Sequence, residues 1–186
     1  MKSSHRRFFM QGFLLAVLLL FSMETVEAIP LESWSNKING QSRFMILGEF
    51  SGAAVLDRET GLVWERDPTA IGSSGQTDAG IDSWAVAAFK CIRKAVGGRK
   101  GWRLPAVHEL ASLVDVSVSA NEVRLPPGHP FQNIGQDFYW TATTYAVEPS
   151  RAWVVRFLGG GVVTEDKPTA HPFWCVRGGS AGLDAY

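Results

Sequence analysis

The amino-acid sequence predicts an α+β domain in which two helices pack on mostly antiparallel strands, with long loops between them. Apolar residues recur at three- and four-residue steps in two segments, 84–96 and 107–114, as on one face of a helix. Strand-like segments flank these helices at 43–67 and 138–179. The glycines at 159–161 favour a hairpin, in which neighbouring strands run antiparallel. Helices and strands that are separated along the chain are typical of the α+β class.

The segment 1–28 is predicted to be a cleaved signal peptide. A basic head precedes the apolar run Phe8–Phe21, which is too short to span a bilayer as a helix. The small residues Val26 and Ala28 place the cleavage before Ile29. An uncleaved N-terminal anchor is the alternative. The segment therefore predicts an exported protein, located in the periplasm, in the medium or at the cell surface.

Export would leave an N-terminal arm at 29–42, a folded domain at 43–180 and a tail at 181–186. We expect the arm to be extended, because it is polar and has no clear period. Residues 29–186 carry 15 basic and 16 acidic side chains, a net charge of −1. Nucleic-acid binding is not expected at this balance of charge, and membrane contact is expected only through an uncleaved signal segment.

Cys91 and Cys175 are the only cysteines of the chain, and both follow the predicted signal peptide. In an oxidising compartment such a pair is most simply one disulfide. Free thiols are the alternative, but nothing near either cysteine in the sequence would activate a thiolate. The apolar stripe of the first helix is expected to be buried, with Asp82 as its N-cap and Gly97-Gly98 beyond its end. Its members are Trp84, Ala85, Ala88, Phe89, Cys91, Ile92 and Val96.

The stretch "GWRLPAVHEL", residues 101–110, is interpreted as a scaffold corner. Pro105 is expected to begin the second helix, where its missing N–H costs nothing. Tryptophans within regular patterns are expected to pack in the core, each with a partner for its N–H. The predicted structural residues are Trp64, Trp84, Trp102, Arg103, Pro105, Trp140, Trp153, Arg177 and Gly178.

No motif for covalent catalysis or for a transition metal is visible. His108 and Ser112 are four residues apart, but they lie on an ordinary amphipathic pattern. His129 and His171 each precede a proline, and both are expected to be solvated. No cofactor is predicted; calcium is possible but has no motif to support it. A pair of glycosidase carboxylates from distant strands is a further open alternative.

Four residues are the predicted ligand contacts: Tyr145, Glu148, Arg151 and Trp174. Trp174 follows Phe173, so strict alternation along a strand would expose one of the two. An exposed aromatic ring near a tyrosine and an arginine suits a sugar ring or a peptide side chain. We expect the loops at 67–80 and 119–137 and the hairpin at 146–151 to form the binding face, because recognition residues concentrate on loops.

The order of "TGLVWERD", "SWAVAAFKC", "GWRLPAVHELASLVD", "FYWTATTY", "AWVVRF" and "FWCVRGG" resembles the C-terminal domain family of the bacterial collagen-like adhesin Lcl. The resemblance covers roughly residues 53–179. It implies a compact extracytoplasmic domain. The closing "CVRGG" is similar to that of C-type-lectin-like and formylglycine-generating-enzyme folds, so we expect a C-type-lectin-like single domain.

The resemblance implies binding, because the adhesin's domain is associated with sulfated glycosaminoglycans. This chain departs from it in its neutral charge and in having no Gly-x-y stalk. Formylglycine-generating activity is not expected, because Cys175 has no second cysteine nearby. Family members usually have a threonine after the corner proline as an N-cap, whereas this chain has Ala106.

The expected function is that of an exported, non-enzymatic, adhesin-like module that binds a surface glycan or an envelope protein. A structural or assembly component of a cell-envelope or pilus complex is the first alternative. A glycan-acting hydrolase is the second. The sequence does not distinguish the three.

Overall fold

The computed structural model describes residues 40–69 and 81–178 of the chain. The predicted signal peptide, most of the arm, residues 70–80 of the first loop and the tail lie outside these residues. The described part belongs to one unit, Asn36–Tyr186. Its helices are α1 (Gly40–Arg43), α2 (Trp84–Arg93) and α3 (Val107–Ala111), and a short 3-10 helix spans Gly48–Phe50. None of the helices within the described ranges has the length and hydrophobicity that crossing a bilayer requires.

The strands of the described residues form three antiparallel sheets. The first sheet has the order β1-β2-β3-β9, the second pairs β4 with β8, and the third is the meander β5-β6-β7. The strands are β1 (Phe44–Ile46), β2 (Ala54–Asp57), β3 (Val63–Glu65), β4 (Ile81–Asp82), β5 (Phe138–Thr144), β6 (Arg151–Arg156), β7 (Val162–Asp166), β8 (His171–Pro172) and β9 (Val176–Arg177). The structure is thus the α+β domain that the sequence predicts.

Two predictions about the segment 40–50 are wrong in detail. Residues 40–43, the end of the predicted arm and the start of the first strand segment, form the helical turn α1. Residues 48–50, predicted as strand, form the 3-10 helix, which ends at Ser51 in the left-handed conformation. The turn after β2 is as predicted: the N–H of Gly61 donates to the carbonyl of Asp57 at 2.8 Å, and Gly61 has a φ of 73°. A side chain at that φ would be strained, which explains the glycine.

The core consists of two hydrophobic clusters that the strands separate. Consecutive strand residues therefore enter different clusters: Val155 belongs to the first and Val154 to the second. The helix α3 packs on the first cluster through Leu110, and α2 packs on the second through Cys91. A strand that is covered on both faces is apolar at successive positions rather than at alternate ones.

The disulfide Cys91–Cys175 is present, and it joins α2 to the residue before β9. Both cysteines are completely buried, as is Ala87 one turn before Cys91. The predicted buried stripe of α2 is wrong in part, because Phe89 and Ile92 are 57% and 65% exposed. The N-cap is also different. Ser83 takes that position without a side-chain hydrogen bond, while Asp82 lies in β4 and pairs with Lys90 at 2.8 Å.

The "GWRLP" corner is part of the scaffold, as interpreted from the sequence. Trp102 is 2% exposed, and its indole N–H donates to the carbonyl of Arg99 at 2.8 Å. Arg103 binds both carboxylate oxygens of Glu109 at 2.7 Å, so its guanidinium fork ties the corner to α3. The N-cap of α3 is Ala106, so the helix begins at Val107 and not at Pro105, where the sequence predicted its start. The backbone N–H of Ala106 donates to Glu109 at 2.7 Å, and that of Val107 donates to the hydroxyl of Thr143 at 3.0 Å. These two bonds replace the side-chain cap that alanine cannot provide.

Replacing both Cys91 and Cys175 with alanine should lower the free energy of unfolding by about 4 kcal/mol, because the disulfide closes a loop of 84 residues. Denaturant unfolding of the variant beside the oxidised protein measures the difference. Reduction of the native protein should produce a loss of similar size. Equal stability of all three samples would show that the crosslink does not form in solution.

Trp102→Ala should destabilise the domain by about 3–5 kcal/mol, because it leaves a cavity in the second cluster and removes the donor to Arg99. Thermal melting measures this loss. A variant that melts normally but loses ligand binding would contradict the scaffold interpretation of the corner.

Candidate ligand-binding site

Three of the four predicted contact residues lie together where the β5–β6 hairpin turns. The N–H of Tyr145 donates to the carbonyl of Arg151 at 2.9 Å, which closes the turn at its base. The N–H of Arg151 donates to the carbonyl of Glu148, also at 2.9 Å. We call these residues, together with Trp153, the hairpin corner. Its tip is exposed, and Val147 is 81% accessible to solvent.

The rings of Tyr145 and Trp153 form the apolar part of the hairpin corner. Their centroids are 5.5 Å apart and their planes meet at 85°, an edge-to-face contact. Both residues are half-buried, so each ring has one part packed and another part in water. The two perpendicular rings form an apolar surface that is partly in water. Such a surface fits the C–H face of a pyranose or an aliphatic side chain.

Arg151 places a positive charge beside the two rings. One of its terminal nitrogens donates to the carbonyl of Thr164 at 2.6 Å. Its Nε lies 3.3 Å from Oδ1 of Asp166, an ion-pair contact that lacks the alignment of a hydrogen bond. Asp166 is 69% exposed, so this pair adds little stability. The carbonyl bond holds the guanidinium in position at the start of β6, where its other terminal nitrogen can bind a polar ligand.

Lys167 anchors the hairpin corner to the neighbouring elements. Its backbone N–H donates to the carbonyl of Ser150 at 3.0 Å, and its ammonium donates to the hydroxyl of Thr144 at 3.0 Å. The ammonium also lies 4.1 Å from the ring centroid of Trp84, as a cation–π contact. The turn is therefore anchored to α2 as well as to β7. A ligand would meet a surface that is largely preformed.

The prediction that Trp174 or Phe173 faces solvent is wrong, since both residues are completely buried. Trp174 is instead the centre of the aromatic core. Its ring lies 4.7 Å from Phe131 and 5.4 Å from Trp64, and its N–H donates to the carbonyl of Glu65 at 2.9 Å. Alternation is preserved along this segment, but each face has its own cluster, so neither ring is left in water.

Trp153 is the site residue that the sequence analysis assigned to the core. Its cross-strand partner on β7 is Thr164, and that of Arg151 is Asp166. Because both cross-strand partners are polar, the sequence already indicated that this part of the sheet is exposed to water. Among the other predicted structural tryptophans, Trp64, Trp102 and Trp140 are buried as expected, and Trp84 is half-buried with its N–H bonded to Thr141. The expected partner for each N–H is wrong at Trp64, whose buried Nε1 has no hydrogen-bond partner among the described residues. At the closing strand, Arg177 is half-buried and Gly178 is exposed.

The other reactive side chains of the described residues do not assemble into a catalytic group. The hydroxyl of Ser112 donates to the carbonyl of Glu109 at 2.7 Å rather than to His108. His129 and His171 are half-buried rather than fully solvated, and burial lowers the pKa of both imidazoles. Within residues 40–69 and 81–178, no group of three or more His, Cys, Asp or Glu side chains could hold a metal ion. The side-chain carboxylate of Glu148 accepts from the hydroxyl of Ser150 at 3.4 Å.

A buried ion pair lies next to the disulfide. The ammonium of Lys94 is 2.7 Å from Oε1 of Glu65, and both side chains are almost fully inaccessible. The other oxygen, Oε2, accepts from the N–H of Cys175 at 2.9 Å. Burial raises the pKa of Glu65 to about 7, although Lys94 and the Cys175 N–H both lower it. This carboxyl group has no access to a substrate, so we interpret the pair as structural.

The family model of the Lcl C-terminal domain matches residues 53–177, which is more than half of the chain. The chain belongs to this family. A search of curated proteins finds no match. The matched residues include the hairpin corner, both cysteines and the "GWRLP" corner. In this member of the Lcl C-terminal domain family, the candidate site is therefore part of the family domain rather than an addition to it.

Replacing the buried pair in Glu65→Gln/Lys94→Met should remove one source of pH-dependent stability. Because the pKa of Glu65 is raised on folding, the folded state binds more protons between about pH 4.5 and 7. The contribution of Glu65 is therefore fully present below pH 4.5 and is lost as the pH rises through about 7. Relative to the variant, the native protein should lose stability on the order of 1 kcal/mol per pH unit in this window.

His129 and His171 act in the opposite sense, because their lowered pKa values remove stability as the pH falls below 6.5. Both histidines are present in the native protein and in the variant, so the difference between the two isolates Glu65. Denaturant unfolding at pH 4.5, 5.5, 6.5 and 7.5 measures this difference. A constant difference across the series would mean that Glu65 stays ionised.

Proposed function

We propose that the protein is an exported, non-enzymatic binding module that recognises a surface glycan at the hairpin corner. The observation that carries the proposal is the perpendicular pair Tyr145–Trp153, half in water beside a positioned guanidinium. Aromatic faces bind the apolar side of sugar rings, and an arginine beside them donates to hydroxyl, carboxylate or sulfate oxygens. Glu148, exposed at the tip, adds an acceptor for sugar hydroxyls.

Membership of the Lcl C-terminal domain family supports this proposal, because the family is named after an adhesin's domain. The anchoring of the turn by Lys167 supports it too, since a preformed surface lowers the entropic cost of binding a flexible glycan. The one strongly shifted carboxyl group of the described residues, Glu65, is inside the core, where a substrate could not reach it.

A protein partner in a cell-envelope or pilus assembly is the second candidate function. The observation that favours it is the apolar tip, where Val147 is 81% exposed beside Pro149. A peptide partner would cover such a tip, whereas a sugar gains little from it. Capture of a stable partner by the native protein but not by Val147→Ser would favour this alternative.

A glycan array that includes sulfated glycans, run with the oxidised protein, should identify a ligand. Tyr145→Ala and Trp153→Ala should each weaken binding about tenfold or more, because aromatic residues at the centre of a site dominate its affinity. Tyr145→Phe keeps the ring and should retain most of the affinity. Titration calorimetry on the identified glycan measures these changes.

Phe138→Ala is the matched control, since Phe138 is a half-buried ring at the other end of β5. It should leave glycan affinity unchanged. Binding that a chelator abolishes would identify Glu148 as a calcium ligand, and turnover of the bound glycan would make the protein a hydrolase. Failure to bind any glycan would contradict the proposal and favour the protein partner.

A further inference from the structure

The charges of this chain are segregated, although they sum to zero over the whole sequence. Residues 83–101, which contain α2 and the turn after it, have five Lys or Arg side chains and no Asp or Glu. Two of these cations are used internally: Lys90 pairs with Asp82, and Lys94 pairs with Glu65. The other three are Arg93, Arg99 and Lys100, all of which are exposed. They form no ion pair with a carboxylate in the part of the chain that the structure describes.

The outer face of α2 is apolar and uncovered. Val86, Phe89 and Ile92 are 40%, 57% and 65% exposed, while Ala87 and Cys91 on the opposite face are completely buried. At 100° per residue, the three exposed side chains and Arg93 fall within one continuous arc of the helix. This helix therefore has two apolar faces, one for the core and one for another environment.

One exposed cation, Arg93, borders this apolar face. The guanidinium of Arg93 lies 5.2 Å from the ring centroid of Phe89 on the helix itself. Beyond the helix, the guanidinium of Arg99 lies 5.2 Å from the ring centroid of Phe50, and its Nε donates to the carbonyl of Glu49 at 3.2 Å. The contact with Glu49 uses its backbone, so it does not neutralise the arginine.

The turn that holds Arg99 and Lys100 is rigidly seated. Val96 and Arg99 exchange two backbone hydrogen bonds of 3.0 Å, with Gly97 and Gly98 at the tip. Gly97 has a φ of 56°, and a Cβ at this position would lie 2.2 Å from the carbonyl oxygen of Phe50. Only glycine allows this approach, so the turn packs directly on the 3-10 helix. The two cations are thereby kept next to the end of α2 instead of on a free loop.

We propose that the outer face of α2 and the basic turn after it, residues 83–101, dock on an anionic membrane surface. Exposed apolar side chains bordered by unpaired Lys and Arg are the two signals that peripheral membrane segments combine. Phe89 and Ile92 enter the interface between headgroups and acyl chains, and Arg93, Arg99 and Lys100 bind lipid phosphates. An anionic polymer in water would use the cations alone and would leave the apolar face uncovered. This inference is independent of the hairpin corner.

Cosedimentation with two kinds of vesicle, phosphatidylcholine alone and phosphatidylcholine mixed with phosphatidylglycerol, tests the proposal on the full chain. The apolar run Phe8–Phe21 can enter either bilayer, so the quantity that matters is the gain in binding on the anionic vesicles. Arg99→Ala/Lys100→Ala should remove most of this gain, at roughly fivefold for each cation. Phe89→Ser/Ile92→Ser should reduce it about tenfold or more.

Two matched variants serve as controls. Val116→Ser/Val163→Ser removes two apolar side chains that are 76% and 40% exposed elsewhere, and Arg58→Ala/Arg156→Ala removes two positive charges elsewhere. Both should bind like the native protein. An equal gain in all variants, or no gain with the native protein, would overturn the proposal. Loss in the arginine–lysine variant without loss in the phenylalanine–isoleucine variant would assign the surface to an anionic polymer and would also overturn it.

Discussion

Four consecutive buried residues, Phe173 to Val176, hold the described domain together. Phe173 bridges to Trp140 of the meander, and Trp174 occupies the centre of the aromatic cluster. Cys175 carries the disulfide to α2, and Val176 bridges to Arg103 at the corner before α3. The first and third sheets, α2 and the corner before α3 therefore meet at this one segment, which directly follows β8. Its side chains alternate between the two clusters, so a change of size or polarity along the segment disturbs one cluster or the other.

The buried pair Glu65–Lys94 belongs to the same junction. Its carboxylate accepts from the N–H of Cys175, and Lys94 directly follows α2. The pair therefore ties the end of α2 to β3, beside the disulfide that ties α2 to the residue before β9. A buried ion pair of this kind contributes little net stability compared with apolar residues, because desolvation offsets the attraction. It does penalise any packing in which the two charges separate. Its role at the junction is therefore to select one arrangement of α2 against the sheet.

The two candidate binding surfaces, the hairpin corner and the outer face of α2, lie outside this rigid junction. The hairpin corner lies where the meander turns, and its aromatic rings are positioned by backbone bonds from Arg151 and Lys167. The outer face of α2 lies opposite the disulfide on the same helix, so the crosslink that buries Cys91 also fixes the direction in which Phe89 points. A binding module benefits from such rigidity, because little ordering entropy is lost when a ligand arrives.

Much of the candidate site followed from local sequence. Tyr145, Glu148 and Arg151 are adjacent in a hairpin whose turn was visible, so their proximity needed no tertiary information. Trp174 was wrongly expected at the surface, and Trp153, which was expected in the core, is only half-buried. Alternation identifies two faces of a strand but not which of them is covered. The same limitation explains why the buried stripe of α2 was predicted too wide. The sequence showed apolar residues on two sides of the helix but not which side is covered.

The sequence by itself determined the α+β class, the family, the disulfide partners and the hairpins, since each depends on spacing, residue type or a cysteine count of two. Only the tertiary structure decided that both faces of the segment at 173–176 are buried while one apolar face of α2 remains in water. Periodicity records where apolar side chains point along an element. Whether another element arrives to cover them depends on long-range packing, which no local pattern encodes.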